Sequence, residues 1–246
     1  MLAQLPDDFS ALVLGASGGI GHAVLEALLA SQKPGRIIAV SRHALKLEDP
    51  RLECLALDIT TQEGQGALAA HLEDTPLHLV FNAIGMLHDD DAGIAPEKRF
   101  EDLEFDALAH LFHVNAAAPV MLFKTLKGSL QGQHPVIFAS LSARVGSIED
   151  NGLGGWYAYR ASKAAHNMLL KNAAIELKRL NRQAIVLCLH PGTTDTGLSQ
   201  PFQARVPEGK LFTPDFVAKH LLEVMDQRRP EDSGSFWDWA GEPIPW

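Results

Sequence analysis

Cysteine is scarce in this chain, with 2 among 246 residues. Cys54 and Cys188 each lie inside an apolar run that reads as a buried strand, so both are expected to be structural thiols. That excludes a disulfide framework and favours a reducing, cytoplasmic compartment. Positive charge is in deficit too. The formal net charge of −9 excludes a general affinity for nucleic acid or anionic membranes, although a local basic pocket is compatible with it. Long hydrophobic runs are missing: stretches such as Ala11 to Leu14 or Ile185 to Leu189 fall far short of the ~20 apolar residues that cross a bilayer as helix. Met1 to Ser10 carry Asp7 and Asp8 and no basic segment ahead of an apolar one, so no secretory signal is expected. Pro/Gly/Ser linkers, internal repeats and low-complexity segments are lacking as well, and one domain over residues 1–246 is the expectation.

Hydrophobic residues make up 46% of the chain and charged ones 21%, ordinary values for a soluble globular protein. Short aliphatic runs alternate with longer amphipathic segments. Strands are expected at Ala11–Gly15, Arg36–Ser41, Leu52–Leu57, Leu77–Asn82, Pro135–Ser140, Ala184–Leu189 and Gly234–Trp239. Helices are expected at Gly19–Ala30, Thr61–Leu72, Phe105–Leu126, Trp156–Leu180 and Pro214–Asp226. Such alternation builds right-handed βαβ units. The fold class is therefore α/β, a Rossmann-type doubly wound parallel sheet of about seven strands with helices on both faces.

The first strand runs straight into Gly15-Ala-Ser17-Gly18-Gly19-Ile20-Gly21 and then a helix. Glycines at 15, 19 and 21 permit a tight turn, close approach to a pyrophosphate and close packing of helix on strand. The helix N-terminus then offers free N–H groups to phosphate. The spacing is G-x-x-x-G-x-G, so the generic G-x-G-x-x-G pattern is not matched. Further on, Tyr159 and Lys163 stand four apart in a helical segment and share a face. A cation beside a phenol favours the phenolate, so Tyr159 is expected to have a lowered pKa and to act as a general acid. Loops Leu87–Arg99 and Thr193–Lys210 follow the fourth and sixth strands and should emerge at the carboxyl edge, where ligands bind. His88-Asp-Asp-Asp91 in the first loop, and His110 with His113, match no metal-ligand spacing; no metal is expected.

These features together resemble the short-chain dehydrogenases/reductases. The motifs are the Gly15–Gly21 run, Asn82-Ala83-Ile-Gly85, Asn115 in His-Val-Asn, Tyr159-x-x-x-Lys163, and Pro191-Gly192 followed by Thr196, in the family's order. The segments Pro207 to Pro214 and Phe236 to Trp246 resemble more narrowly the C-signal and Sniffer-like carbonyl reductase branch. The resemblance implies hydride transfer between a nicotinamide and a carbonyl or alcohol carbon. Tyr159 would be the proton donor. Lys163 would bind the nicotinamide ribose and lower the tyrosine pKa, Asn115 would hold a water linking Lys163 to solvent, and Ser142 would hydrogen-bond the substrate carbonyl. Ser142 stands one residue further from Gly146 than the family pattern, which leaves Ser140 as a rival; Ser142 is favoured because it lies just past a strand end. Asp58 and Ile59 resemble the adenine contact, Asn82, Ala83 and Gly85 the adenosine ribose side, and Pro191, Gly192, Thr194 and Thr196 the nicotinamide side.

Ser41-Arg42 closes the second strand where NAD-selective sites carry an acid. An arginine there offers fork-shaped donors to a 2′-phosphate, so NADP(H) is expected over NAD(H), with Arg42 as an ordinary surface residue the competing reading. Leu198, Pro201, Phe202 and Val206 suggest an apolar cover over the pocket and a hydrophobic carbonyl substrate. The resemblance implies a homodimer or homotetramer paired through the two long helices. A catalytically weak nucleotide-binding regulator on the same fold is the alternative. A sugar-nucleotide epimerase would need more chain after Pro191, and a methyltransferase would not need Asn115, Tyr159 and Lys163 together.

Overall fold

Successive residues of a strand point to opposite faces, and in this chain both faces are apolar, as parallel strands covered on two sides require. A computed structural model describes residues 2–246, the Arg205 side chain excepted. Along the chain it forms β1 (Phe9–Leu14), α1 (Gly19–Ala30), β2 (Pro34–Ser41), β3 (Leu52–Ala56), α2 (Gln62–Leu72), β4 (Leu79–Asn82), α3 (Phe105–Phe112), a π-helical turn (His113–Ala117), α4 (Ala118–Thr125), α5 (Lys127–Leu130), β5 (Val136–Leu141), α6 (Tyr157–Leu180), β6 (Ala184–His190), β7 (Thr193–Thr194), β8 (Leu211–Phe212), α7 (Pro214–Asp226) and β9 (Ser235–Asp238). Seven strands make one parallel sheet in the order β3-β2-β1-β4-β5-β6-β9. The order reverses between β1 and β4. That is the switch point at which open α/β sheets bind ligands.

The alternation divides the core. Ala11, Val13, Ile137, Ala139, Ile185 and Leu187 face one way and pack with Val24, Leu28, Val217 and Leu221 of α1 and α7. Leu12, Leu14, Val136, Phe138, Val186 and Cys188 face the other way and pack with Leu68, Leu122, Leu170 and Leu177 of α2, α4 and α6. Burial of the Cys188 thiol pushes its pKa up to about 12, leaving it inert as expected.

One expected helix needs correction. The segment Phe105–Leu126 is not one α-helix: the π-turn His113–Ala117 interrupts it. Pro119 has no N–H to give the carbonyl of Asn115, and its ring crowds that carbonyl, so the α-helical ladder cannot run through. The loop Thr193–Lys210 is closed at its base, where Thr193↔Leu211 and Thr194↔Phe212 pair as a short parallel ladder.

Gly15 turns the chain out of β1 with φ +77°. Gly21 brings α1 down onto that turn: a Cβ at Gly21 would lie 2.2 Å from the Gly15 carbonyl oxygen and 3.2 Å from Ala83 Cβ. Backbone cannot swing aside as a long side chain would. Gly21→Ala is therefore expected to destabilise the protein by about 1–3 kcal/mol. A thermal melt should register this as a midpoint lower by roughly 2–4 °C per kcal/mol, and an unchanged midpoint would refute the close packing.

Candidate active site

A cleft of about 420 Å³ opens at the carboxyl edge of the sheet. Its floor is the glycine turn: Gly18, Gly19, Ile20 and Gly21 line it, and Ala83 and Gly85 continue it at the end of β4. Gly18 precedes α1 and carries no side chain to cap it. The first N–H groups of the helix are thus free to meet an anion. Gly85 lies beneath two polar atoms, since a Cβ there would come within 3.2 Å of Lys163 Nζ and 3.5 Å of Asn115 Oδ1.

The opposite wall carries the reactive groups. Ser142, Tyr159 and Lys163 all line the cleft, with exposures of 3%, 7% and 3%. Lys163 Nζ lies 5.9 Å from the centre of the Tyr159 ring and donates to the Leu141 carbonyl at 3.0 Å. Burial lowers the Lys163 ammonium to about 8. The expected lowering of the tyrosine pKa is not what the site shows: burial raises the Tyr159 phenol above its ordinary value. Desolvation acts on the whole phenolate, whereas the lysine charge sits across the ring and is engaged by a carbonyl.

The two serines separate cleanly. Ser140 lies within β5, fully buried, and its Oγ accepts from Asn82 Nδ2 at 2.9 Å. Ser142 lies one residue past β5 and faces the cleft, its Oγ donating to Asn167 Oδ1 at 2.6 Å. The Asn167 Nδ2 has no protein partner. A half-turn of that amide reverses the bond and frees the serine proton for a substrate carbonyl.

Asn115 and Asn82 stand behind the cleft rather than in it. Asn115 Oδ1 accepts from Met86 N at 2.7 Å, and its Nδ2 donates to Met86 O at 2.8 Å and to Ser162 Oγ at 3.0 Å. These bonds tie the π-turn to the end of β4 and to α6. Asn82 Oδ1 accepts from Ile84 N at 3.2 Å, so its side chain shapes the turn after β4 and does not reach a ligand. Gly15 and Ser17 belong to the glycine turn beneath the cleft, not to its lining. At the far end, Ser41 donates to the His43 carbonyl at 2.5 Å, which leaves exposed Arg42 as the free group. The Asp58 carboxylate, held below its usual range chiefly by the Thr60 hydroxyl, also feels the Arg42 charge. The Ile59 side chain is core.

Pro191, Gly192, Thr194 and Thr196 line the cleft from beyond β6. The Thr194 hydroxyl is buried without a protein partner, and Thr196 closes over the glycine turn, its Cγ2 lying 2.6 Å from where a Gly19 Cβ would be. Leu198 and Phe202 roof the cleft. Phe202 packs against Trp156 at 5.2 Å and His88 at 5.9 Å between ring centres. His88 Nε2 also lies 3.3 Å from the Gly197 carbonyl, joining the two loops.

Several lining residues escaped the sequence reading: Arg144, Val145, Trp156 and His190. Trp156 holds φ +51°, an unusual conformation for a bulky residue. Glu97, 5% exposed, secures it: its carbonyl accepts from Trp156 N, and its carboxylate accepts from Ala158 N at 3.2 Å, capping α6 from outside. Only the position of Trp156, one turn before Tyr159, signalled its place; nothing in the sequence pointed to Glu97.

A parallel sheet with its switch point, a bare glycine floor, and a Ser, Tyr and Lys set on the facing wall define a nucleotide-dependent oxidoreductase of Rossmann type. A family model described as short chain dehydrogenase matches residues 10–206, and the chain belongs to that family. The protein is 30% identical over 243 residues to a 1-hydroxy-2-glutathionyl-2-methyl-3-butene dehydrogenase of Rhodococcus sp. (strain AD45), covering 96% of this chain and 98% of that protein. It is 32% identical to C-signal of Myxococcus xanthus over 59% of this chain and 82% of that protein. Among solved structures, the NADPH-bound carbonyl reductase from chicken fatty liver superposes with a TM-score of 0.83 at 25% identity, covering 98% of this chain and 95% of that one. The Sniffer carbonyl reductase of D. melanogaster, at 20% identity, shares the fold with a TM-score of 0.82 over 98% of this chain and 100% of that one. None of the helices is long and apolar enough to cross a membrane, among the described residues.

Proposed function

We propose that the protein is an NADP(H)-dependent reductase of a hydrophobic aldehyde or ketone, working as one catalytic domain in the cytoplasm. The observation that carries this reading is the convergence of Ser142, Tyr159 and Lys163 on one cleft whose floor is the glycine turn. The residues fit a dinucleotide: the floor is mostly glycine, the start of α1 is uncapped, and the Thr194 hydroxyl lacks a protein partner. Gly18, Gly19, Ile20 and Gly21 would hold its pyrophosphate, Arg42 its 2′-phosphate, Asp58 its adenine side, and Lys163 and Thr194 its nicotinamide end. When bound, it supplies the hydride.

The chain's own groups do the rest. Ser142 orients the substrate oxygen through the hydroxyl proton that a half-turn of the Asn167 amide releases, and Tyr159 donates the proton that converts the developing alkoxide to alcohol. Lys163 presents an ammonium beside both, and Asn115 fixes the π-turn behind it. Phe202, Leu198 and Trp156 exclude water and favour an apolar substrate. NADPH oxidation with a panel of aldehydes and ketones tests the reading. The likeness to C-signal supports a second one, a signalling protein that binds the nucleotide; tight NADPH binding without turnover of any carbonyl would favour it.

A homodimer, or a tetramer built from it, accompanies the proposal. Phe105, Phe112, Met121, Met168 and Ile175 are exposed on α3, α4 and α6, Phe105 by 91%, and large exposed apolar faces mark association surfaces. Sedimentation at micromolar concentration is expected to show at least a dimer, and a monomer alone would refute it.

A further inference from the structure

His166 is fully buried on α6, one turn beyond Lys163, and the chemistry above does not use it. Its Nδ1 lies 2.9 Å from the backbone carbonyl of Asn115. A carbonyl can only accept, so Nδ1 must carry the proton and the ring must be the neutral Nδ1–H tautomer or a cation. Burial and the nearby Lys163 charge hold the imidazole down to about 3, which leaves the neutral ring. Its Nε2 has no donor facing it.

The carbonyl it serves is a particular one. In an α-helix the Asn115 oxygen would accept from the amide of residue 119, and residue 119 is proline. The donor that an α-helix would supply to the Asn115 carbonyl is therefore lacking, and Asn115 is fully buried, where an unmade hydrogen bond is costly. The Asn115 side chain is fully engaged with Met86 and Ser162, so its backbone position sets where the end of β4 and α6 meet.

We propose that His166 is a positioning residue: its Nδ1–H replaces the amide that Pro119 lacks and holds the π-turn in register with Lys163. The same helix thereby carries both the reactive Tyr159 and Lys163 and the group that fixes the element packed behind them. The kinetic consequence rests on the reductase reading; the tautomer and the hydrogen bond do not.

Asparagine and glutamine discriminate the roles. The amide nitrogen of Asn falls where Nδ1 is, and that of Gln falls nearer Nε2. His166→Asn is expected to keep kcat for carbonyl reduction within about threefold, whereas His166→Gln loses about a hundredfold at an unchanged carbonyl KM, the scale of a small misplacement of a reacting group. Backbone amide exchange across His113–Val120 should accelerate in His166→Gln and not in His166→Asn. Independently of activity, nitrogen NMR of the histidine-labelled protein without cofactor at neutral pH should show a ring protonated at Nδ1 only, missing from His166→Asn. A ring protonated at Nε2 alone overturns the proposal; so do equal turnover and equal exchange in the two variants. A wild type inactive with every carbonyl would overturn the reductase reading, and the exchange and NMR results would still decide the role of His166.

Discussion

Tyr159→Phe is expected to lower kcat for carbonyl reduction by about 10²–10⁴-fold, the range for loss of a positioned general acid, with NADPH affinity unchanged. The substitution removes one hydroxyl and keeps the ring that packs edge-on against Trp156 at 6.2 Å, so the cleft keeps its shape. Burial holds the phenol protonated across the neutral range. That is the form a proton donor needs for carbonyl reduction. Lys163 sets the other boundary. Its ammonium, lowered to about 8 by burial, is charged below that pH and neutral above it, so reduction should decline as pH rises through about 8 while alcohol oxidation gains. Stopped-flow measurement of NADPH oxidation in wild type and Tyr159→Phe, across pH, checks both points; wild-type turnover in the variant would end the assignment of Tyr159.

The second large effect concerns cofactor choice. Arg42→Asp is expected to shift the ratio of kcat/KM for NADPH over NADH toward NADH by about 10–100-fold, the worth of a charge-assisted hydrogen bond to phosphate. Arg42 follows β2 at the surface, with Ser41 turned inward to the His43 carbonyl, so no neighbouring hydroxyl compensates for its loss. The new carboxylate would stand near Asp58, which already senses the charge at position 42, and two acids together repel a 2′-phosphate while accepting from a ribose hydroxyl. Steady-state kinetics with both nucleotides decides it, and an unchanged ratio removes Arg42 from the cofactor site.

The sheet was legible because every central strand is a short apolar run buried on two faces, and the glycine turn because its residues permit what few others do. Tyr159 and Lys163 were legible because i and i+4 on a helix meet whatever surrounds them. Which of Ser140 and Ser142 faces the cleft was not legible, since it depends on which hydroxyl lies inside the ladder and pairs with Asn82. The π-turn was hidden by an apolar pattern that runs unbroken from Phe105 to Leu126; Pro119 was its one trace. Glu97 and His166 were hidden because each acts on a backbone atom distant in sequence. The pKa of Tyr159 was misjudged because spacing reports a neighbouring charge and is blind to how little water reaches the ring.

The ladder of Thr193–Thr194 with Leu211–Phe212 anchors both ends of the roof at one point. The segment between those strands carries both Thr196, set over the glycine turn, and Phe202, set against Trp156, so a displacement of one end of the roof would be felt at the other. The cover above the phosphate floor and the cover above the reactive wall are thus one continuous piece of chain with a common base, not two independent loops.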